Sequence, residues 1–414
     1  MRYILTIIIL LFSGYAYASS PEIIRVTDLE GKSFKGDGIK FDNNQITLLS
    51  KGITPATFAC VDIAGISFHN SPVTQSLRAE SVFRITLVSH DIIYGVISDT
   101  AKNGFAVHNI ILGRIALNFE QISSIERVED KESSLSLRIL DAVKKAERED
   151  TVFLISGDVD SGIVISLTPE SVSIKSTLYN QDRTYKMKDI RTINLFSFTA
   201  NTEKTSKGNL EAIVYLSDGS RLIGSISPSL SERAMVLAQS KGNYQIPIDA
   251  IGFIYFKNDR CVYLSDLEPS EVKEYISPKD ETASFLWHCQ KDRGLFSQKP
   301  ISIQGNKYYK GLSAHANCEL TYKLDGAYQK FFATIGIGAE GAGAQADNLS
   351  GSVRFVVYVD GKKSYESEVF RKDTPPKDIF IDIKGAKELR LVVDDAGDGY
   401  VLDRAAWALA RVIK

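Results

Sequence analysis

The sequence predicts a mainly β protein: small barrels in tandem, then a larger antiparallel sandwich. Three observations carry that prediction. Apolar and polar residues alternate at period two over many short runs, the spacing of half-buried strands. Turn pairs such as Asp218-Gly219 and Asp360-Gly361 separate the runs at hairpin distance. A plan of strand, turn, glycine-bearing strand, further strand and closing apolar pair also recurs four times before the pattern changes after Asp259.

The four copies are aligned by anchor glycines Gly36, Gly95, Gly162 and Gly224, a period of about 60 residues. Turns precede them at Glu30-Gly31-Lys32, His90-Asp91, Gly157-Asp158 and Asp218-Gly219. The copies close with Ile63 and Ile66, Ile122 and Ile125, Ile190 and Ile193, and Ile251 and Ile254. The fourth copy is the clearest. Ala212, Val214 and Leu216 alternate with Ile213, Tyr215 and Ser217, and Gly224 suggests a bend where the sheet curls. Ile251 and Ile254 read as one buried face of a short turn. The arrangement resembles small SH3-like or Sm-like β-barrels, with units expected at residues 19–72, 80–130, 150–197 and 210–259.

Two insertions interrupt the series. Residues 131–149 place Leu135, Ile139, Ala142, Val143 and Ala146 on one helical face, which predicts a connecting helix packed on neighbouring barrels. Residues 198–209 are rich in Thr, Ser, Lys and Asn and read as a linker. At the N-terminus, Arg2 precedes the apolar run Ile4 to Phe12, and Ala16-Tyr17-Ala18 supplies small residues for cleavage. That is the pattern of a signal peptide over 1–18. The expected location is therefore outside the cytoplasm: periplasmic, secreted or cell-surface. No later run is long and apolar enough to predict a transmembrane segment in the mature chain.

With 414 residues the chain exceeds one typical core. A net charge of -2 gives no basic field, which argues against nucleic acid as a partner. His69, His90 and His108 fall at unrelated places in the repeat plan and read as surface or turn residues. None of Cys60, Cys261, Cys289 and Cys318 forms a C-x-x-C pair, against zinc or thioredoxin-like chemistry. Two readings of them stay open: a Cys289–Cys318 disulfide, or four buried free thiols. No H-E-x-x-H, P-loop, G-x-S-x-G or G-x-G-x-x-G constellation stands in a suitable setting.

After the connector at Tyr263 to Ser270 the strands lengthen. Val353, Phe355, Val357 and Val359 share one face, and Ile379, Ile381, Ile383 and Leu389, Leu391, Val393 repeat the pattern. Residues 264–414 resemble the NPCBM modules, carbohydrate-binding domains found beside some glycoside hydrolases. The resemblance rests on Tyr308-Tyr309-Lys310-Gly311-Leu312-Ser313-Ala314-His315-Ala316-Asn317, Ala333-Thr334-Ile335-Gly336-Ile337, Gly351-Ser352-Val353-Arg354-Phe355, Asp360-Gly361-Lys362, Lys387 to Leu391 and Asp395-Ala396-Gly397-Asp398-Gly399. Trp407 and Arg411 complete it. It implies a galactose-binding-like β-sandwich (jelly roll), a galactose-type or other glycan as ligand, and in some members a structural calcium. The chain departs from the pattern at Ala406 and Leu409 beside the tryptophan, and at Gly338 after Ile337, where acidic residues are usual.

Sugar sites pair an aromatic face with planar polar groups. Tyr308, Tyr309 and Trp407 are the candidate faces, and His315, Glu340, Asp398 and Asp403 the candidate polar contacts. Trp407 also reads as a core residue of the last strand. Asp394, Asp395 and Asp398 in a glycine-bearing loop are the candidate calcium ligands, although the EF-hand spacing is not met. The expected function is a non-catalytic exported carbohydrate-binding protein, its barrels a scaffold and its partner a glycan or glycoprotein. The alternative is a structural or protein-interaction protein of the cell envelope with no sugar ligand. A glycosidase, or an accessory to one, is the third reading.

Overall fold

The computed structural model describes residues 23–42, 44–69, 82–101, 103–128, 149–196, 210–231, 233–239, 242–276, 287–297, 299–338 and 351–414. The expected signal peptide, linker and Glu340, and the expected helix apart from Glu149, lie outside them. Among the described residues the protein is built of antiparallel strands and single-turn 3-10 helices. No helix among them is long and apolar enough to cross a membrane.

The four repeats share one connectivity. In the fourth, strands Glu211–Leu216, Arg221–Ser231, Ala234–Gln239 and Gly242–Pro247 pair in sequence. A 3-10 turn at Ile248–Ala250 then leads into Ile251–Lys257, which returns to pair with the first strand. Ile23–Asp28 with Ile63–His69, Phe83–Leu87 with Ile122–Arg127, and Asp150–Leu154 with Ile190–Asn194 pair first strand to last in the same way.

The anchor glycines have a common cause. A Cβ on Gly36, Gly95, Gly162 or Gly224 would come within 2.4, 2.7, 2.0 or 2.5 Å of the backbone carbonyl of Leu49, His108, Lys175 or Ala238. Each lies where the second strand crosses against the third, and only glycine permits that approach. The closing isoleucines have one too, and it corrects the expected turn. In every unit they open the last strand, and the ladder slips there: Leu216 faces Ile251 while Tyr215 faces Phe253. This bulge leaves Ile251 and Ile254 both buried in one core, whereas a regular strand would put residues three apart on opposite faces.

The units associate out of chain order. The closing strands of the first and fourth pair, Phe253 with Ser67 and Ile254 with Ile66, and a single core fills both barrels. Those of the second and third pair through Ile125 and Ile193, around another shared core. The two couples meet between the second and fourth units, where Arg221 pairs with Ile92.

The terminal module is two facing antiparallel sheets. One runs Gln290–Lys291, Gly311–His315, Arg404–Ile413, Lys330–Ile337, Lys377–Asp382, with Cys261–Tyr263 also on Arg404–Ile413. The other runs Glu271–Glu274, Cys318–Lys323, Glu388–Asp394, Arg354–Val359, Lys362–Glu366. Phe331, Phe355, Phe370, Leu391 and Trp407 fill the space between.

This module is seated on the first and fourth barrels. Tyr263 and Tyr309 join Ile213, Tyr215, Phe253 and Tyr255 in an apolar cluster, and the Tyr309 ring lies where a Cβ on Gly252 would stand. At its centre Lys310 is buried, its Nζ 2.7 Å from both Asp266 Oδ1 and Asp292 Oδ2. Tyr255 donates to Asp266 and Tyr215 to Asp292, so both carboxylates are held from the barrel side as well. Burial pulls the Lys310 ammonium toward neutrality, but Asp292 foremost, with the two tyrosines and Asp266, holds it well above its ordinary value. Tyr263 donates to the Ala64 carbonyl, and Leu29 and Ala64 of the first barrel pack on Cys261 and Ile413.

Candidate functional site

The candidate site is at one end of the first sheet of the module. His315 ends its strand opposite Arg404, the first residue of the neighbouring strand. Its Nδ1 lies 2.7 Å from the Ala316 carbonyl. A carbonyl only accepts, so Nδ1 carries the proton and Nε2 is left as an acceptor. Burial lowers the imidazole pKa to about 4, against the bond to Ala316, and the ring is neutral at physiological pH.

Trp287 covers this ring, stacked at 3.9 Å between centroids with 27° between planes. Its own segment is pinned by Glu274, which accepts from the Cys289 backbone N–H and contacts His288 Nδ1 at 2.7 Å. The indole N–H is buried with no hydrogen-bond partner. Tyr400 stands 5.8 Å from Trp287 on an exposed loop, and the Arg404 guanidinium lies 5.1 Å from the Phe296 ring centroid with its Nε buried and unpartnered. Gly338, which donates to the Arg404 carbonyl, is the last described residue before the segment containing Glu340. One place therefore gathers the buried Trp287 and His315 rings under the exposed Tyr400, two buried N–H donors without a partner and a neutral imidazole acceptor. That is the chemistry for binding a neutral polyhydroxylated ligand.

Of the described residues expected at a site, only His315 is found here. Trp407 is 1% exposed between the sheets, with Phe355 edge-on at 4.9 Å. It is core because its strand is the central one of its sheet. Tyr309 faces the fourth barrel, and Tyr308 packs on Ile301, Ala406 and Ala408. Asp403 is fully buried, its Oδ1 accepting from the Ser352 N–H and its Oδ2 unpartnered. Burial chiefly, then the Asp398 and Asp395 charges, push its carboxyl up to about 7, against the Ser352 bond.

The expected calcium ligands do not converge. Asp394 accepts from the Ala396 N–H and Asp395 from the Gly397 N–H, while Asp398 takes the Ser352 hydroxyl on both oxygens. The first two are turn-closing bonds, and the third ties the loop to Ser352. Among the described residues no three of His, Cys, Asp and Glu are grouped to hold a metal ion. All four cysteines are free thiols, with the Cys318 thiol in contact with that of Cys289, a hydrogen bond that with burial holds Cys318 well above its ordinary pKa.

Trp287, Tyr400 and Arg404 were missed from the sequence. Trp287 is one of only two tryptophans, and the other is adjacent to a recognised motif and drew the assignment.

Residues 260–413 match the family model of the NPCBM/NEW2 domain, so the resemblance spans the module whose site has just been described. Over 185 residues the chain is 28% identical to a Renibacterium salmoninarum protein described as "Putative endo-alpha-N-acetylgalactosaminidase"; the match covers 42% of this chain and 12% of that protein. The chain thus spans a small part of the curated relative it matches. Similar solved structures include the CBM51-2 and INT domains from Clostridium perfringens ZmpB, 26% identical over 45% of this chain and 39% of that one, TM-score 0.32. Another is CBM51 from Clostridium perfringens GH95 in complex with methyl-galactose, 28% identical over 37% of this chain and 99% of that one, TM-score 0.31.

Proposed function

We propose that the chain is a non-catalytic exported glycan-binding protein whose terminal module reads a galactose-type or other neutral sugar while the barrels hold it in place. The observation that carries this reading is the Trp287–His315–Tyr400–Arg404 constellation, within the stretch that matches the NPCBM/NEW2 model. Its indole and guanidinium N–H groups are buried without a partner, and a shift of the exposed Tyr400 loop would open them to hydroxyl oxygens. Export rests on the N-terminal pattern at Arg2 to Ala18.

The test is a glycan array followed by calorimetry with the full chain, using galactose-type sugars first. Binding is expected to change tryptophan emission, and Trp287→Phe to abolish that change, because Trp407 is sealed in the core. Tyr400→Ala is expected to weaken binding about tenfold, the equivalent of roughly 1.4 kcal/mol. An array without hits, in the presence and absence of calcium, would turn the reading to a protein-interaction role.

A further inference from the structure

The hairpins that open the barrel units are contact points, and three of the four are covered. In the first, Leu29 and Gly31 lie against the terminal module. Those of the second and fourth cover one another by a reciprocal bond. The backbone N–H one residue before the anchor glycine donates to the side chain four residues before the partner's anchor glycine. Ile223 N–H thus donates to Asp91 Oδ1 at 2.7 Å, and Tyr94 N–H to Ser220 Oγ at 3.0 Å. Ile92 and Arg221, each next to its bonding side chain, pair across the pseudo-twofold axis.

The third unit carries the same elements with nothing on them among the described residues. Asp158 stands four before Gly162, and its Oδ2 accepts from Ser156 as Asp91 accepts from Ser89. Val159 takes the place of Ile92 and Arg221 and is 42% exposed. Around it Ile155 and Ile163 are 46% and 64% exposed, apolar side chains facing outward from a barrel whose core is already filled. Ser161, one before the anchor, gives its N–H to the adjacent Asp160.

We propose that this hairpin binds the same hairpin of a second copy of the chain, giving a twofold dimer through the third units. The contact follows the internal one, with one exchange: the Ser161 N–H of each copy passes from its own Asp160 to the other copy's Asp158, and the two Val159 side chains meet on the axis. Both halves of such an interface come from one surface, the requirement of an isologous contact. The internal contact shows two hairpins of this geometry meeting reciprocally.

Sedimentation velocity of the full chain over a wide concentration range is the test. The wild type is expected to sediment as a dimer and Ile163→Asp as a folded monomer. Ile53→Asp, an equally exposed site on the first barrel, is expected to leave the dimer intact. Val159→Cys should form a disulfide-linked dimer on mild oxidation, which keeps the test open if Ile163→Asp fails to fold. A monomeric wild type overturns the proposal, and one in which Ile163→Asp lowers the melting temperature assigns the face to residues 129–148 of the same chain. A dimer that Ile163→Asp leaves intact and Val159→Cys does not cross-link also overturns it.

Discussion

Asp403 and His315 are buried within one stretch of the fold and titrate with opposite consequences. The folded Asp403 carboxyl has a pKa of about 7, against about 4 in an unfolded chain, so the native state holds more protons between those values. Its contribution to stability falls as pH rises from about 4 to 7. Asp403→Asn keeps an oxygen for the Ser352 N–H and removes the charge. It is expected to raise the melting temperature at pH 8, with the gain fading toward pH 4. His315, depressed to about 4, binds fewer protons folded than unfolded, and its contribution is lost on acidification from about 6.5 to 4. Sugar affinity should consequently be level from pH 8 to 5.5 and fall through about pH 4, where Nε2 gains a proton and ceases to accept. A calorimetric pH series checks this; a midpoint near 6.5 would mean the ring is open to solvent.

At the scale of strands, the period-two runs and the glycine at the same place in each repeat were legible in the sequence, because both are imposed locally. The cause of the glycine was not: it is the carbonyl of a neighbouring strand, which no window of sequence contains. Gly95→Ala is expected to cost about 1–3 kcal/mol in chemical denaturation, since the new Cβ meets Val107 Cγ1 and also the His108 carbonyl, which cannot rotate away. The isoleucines three apart mislead for a related reason. Their spacing is that of a helical turn, and only the bulge makes it compatible with a strand. The candidate site was half legible. His315 lies in a recognisable motif, while its partners Trp287, Tyr400 and Arg404 come from loops and a strand end far apart in sequence. Tyr309 and Lys310, two residues of that motif, serve the joint with the barrels, and nothing in their spacing separates the two duties.

For the whole molecule, the joint decides whether the terminal module behaves as an independent domain. Removing the ammonium from Lys310 leaves the largely buried Asp292 without its counter-charge, while Asp266 is open to solvent, and Lys310→Ala is expected to destabilise the chain by about 3 kcal/mol. A fragment of residues 260–414 should melt well below the same residues in the full chain, because Tyr263, Tyr309 and Lys310 would lose their cover. Calorimetry of both decides the point, and equal melting temperatures would make the joint incidental. The pairing of the first barrel with the fourth has its own consequence, in time. Ile66 lies on a closing strand whose neighbour, Ile254, is among the later residues to emerge during synthesis. Until then the first barrel presents a bare strand edge, the kind of surface that recruits wrong partners and that chaperones shield. The long separation also makes assembly slow to nucleate. A ribosome stalled before the fourth repeat would therefore carry a sticky nascent chain, and one released after it a chain able to close its own seam.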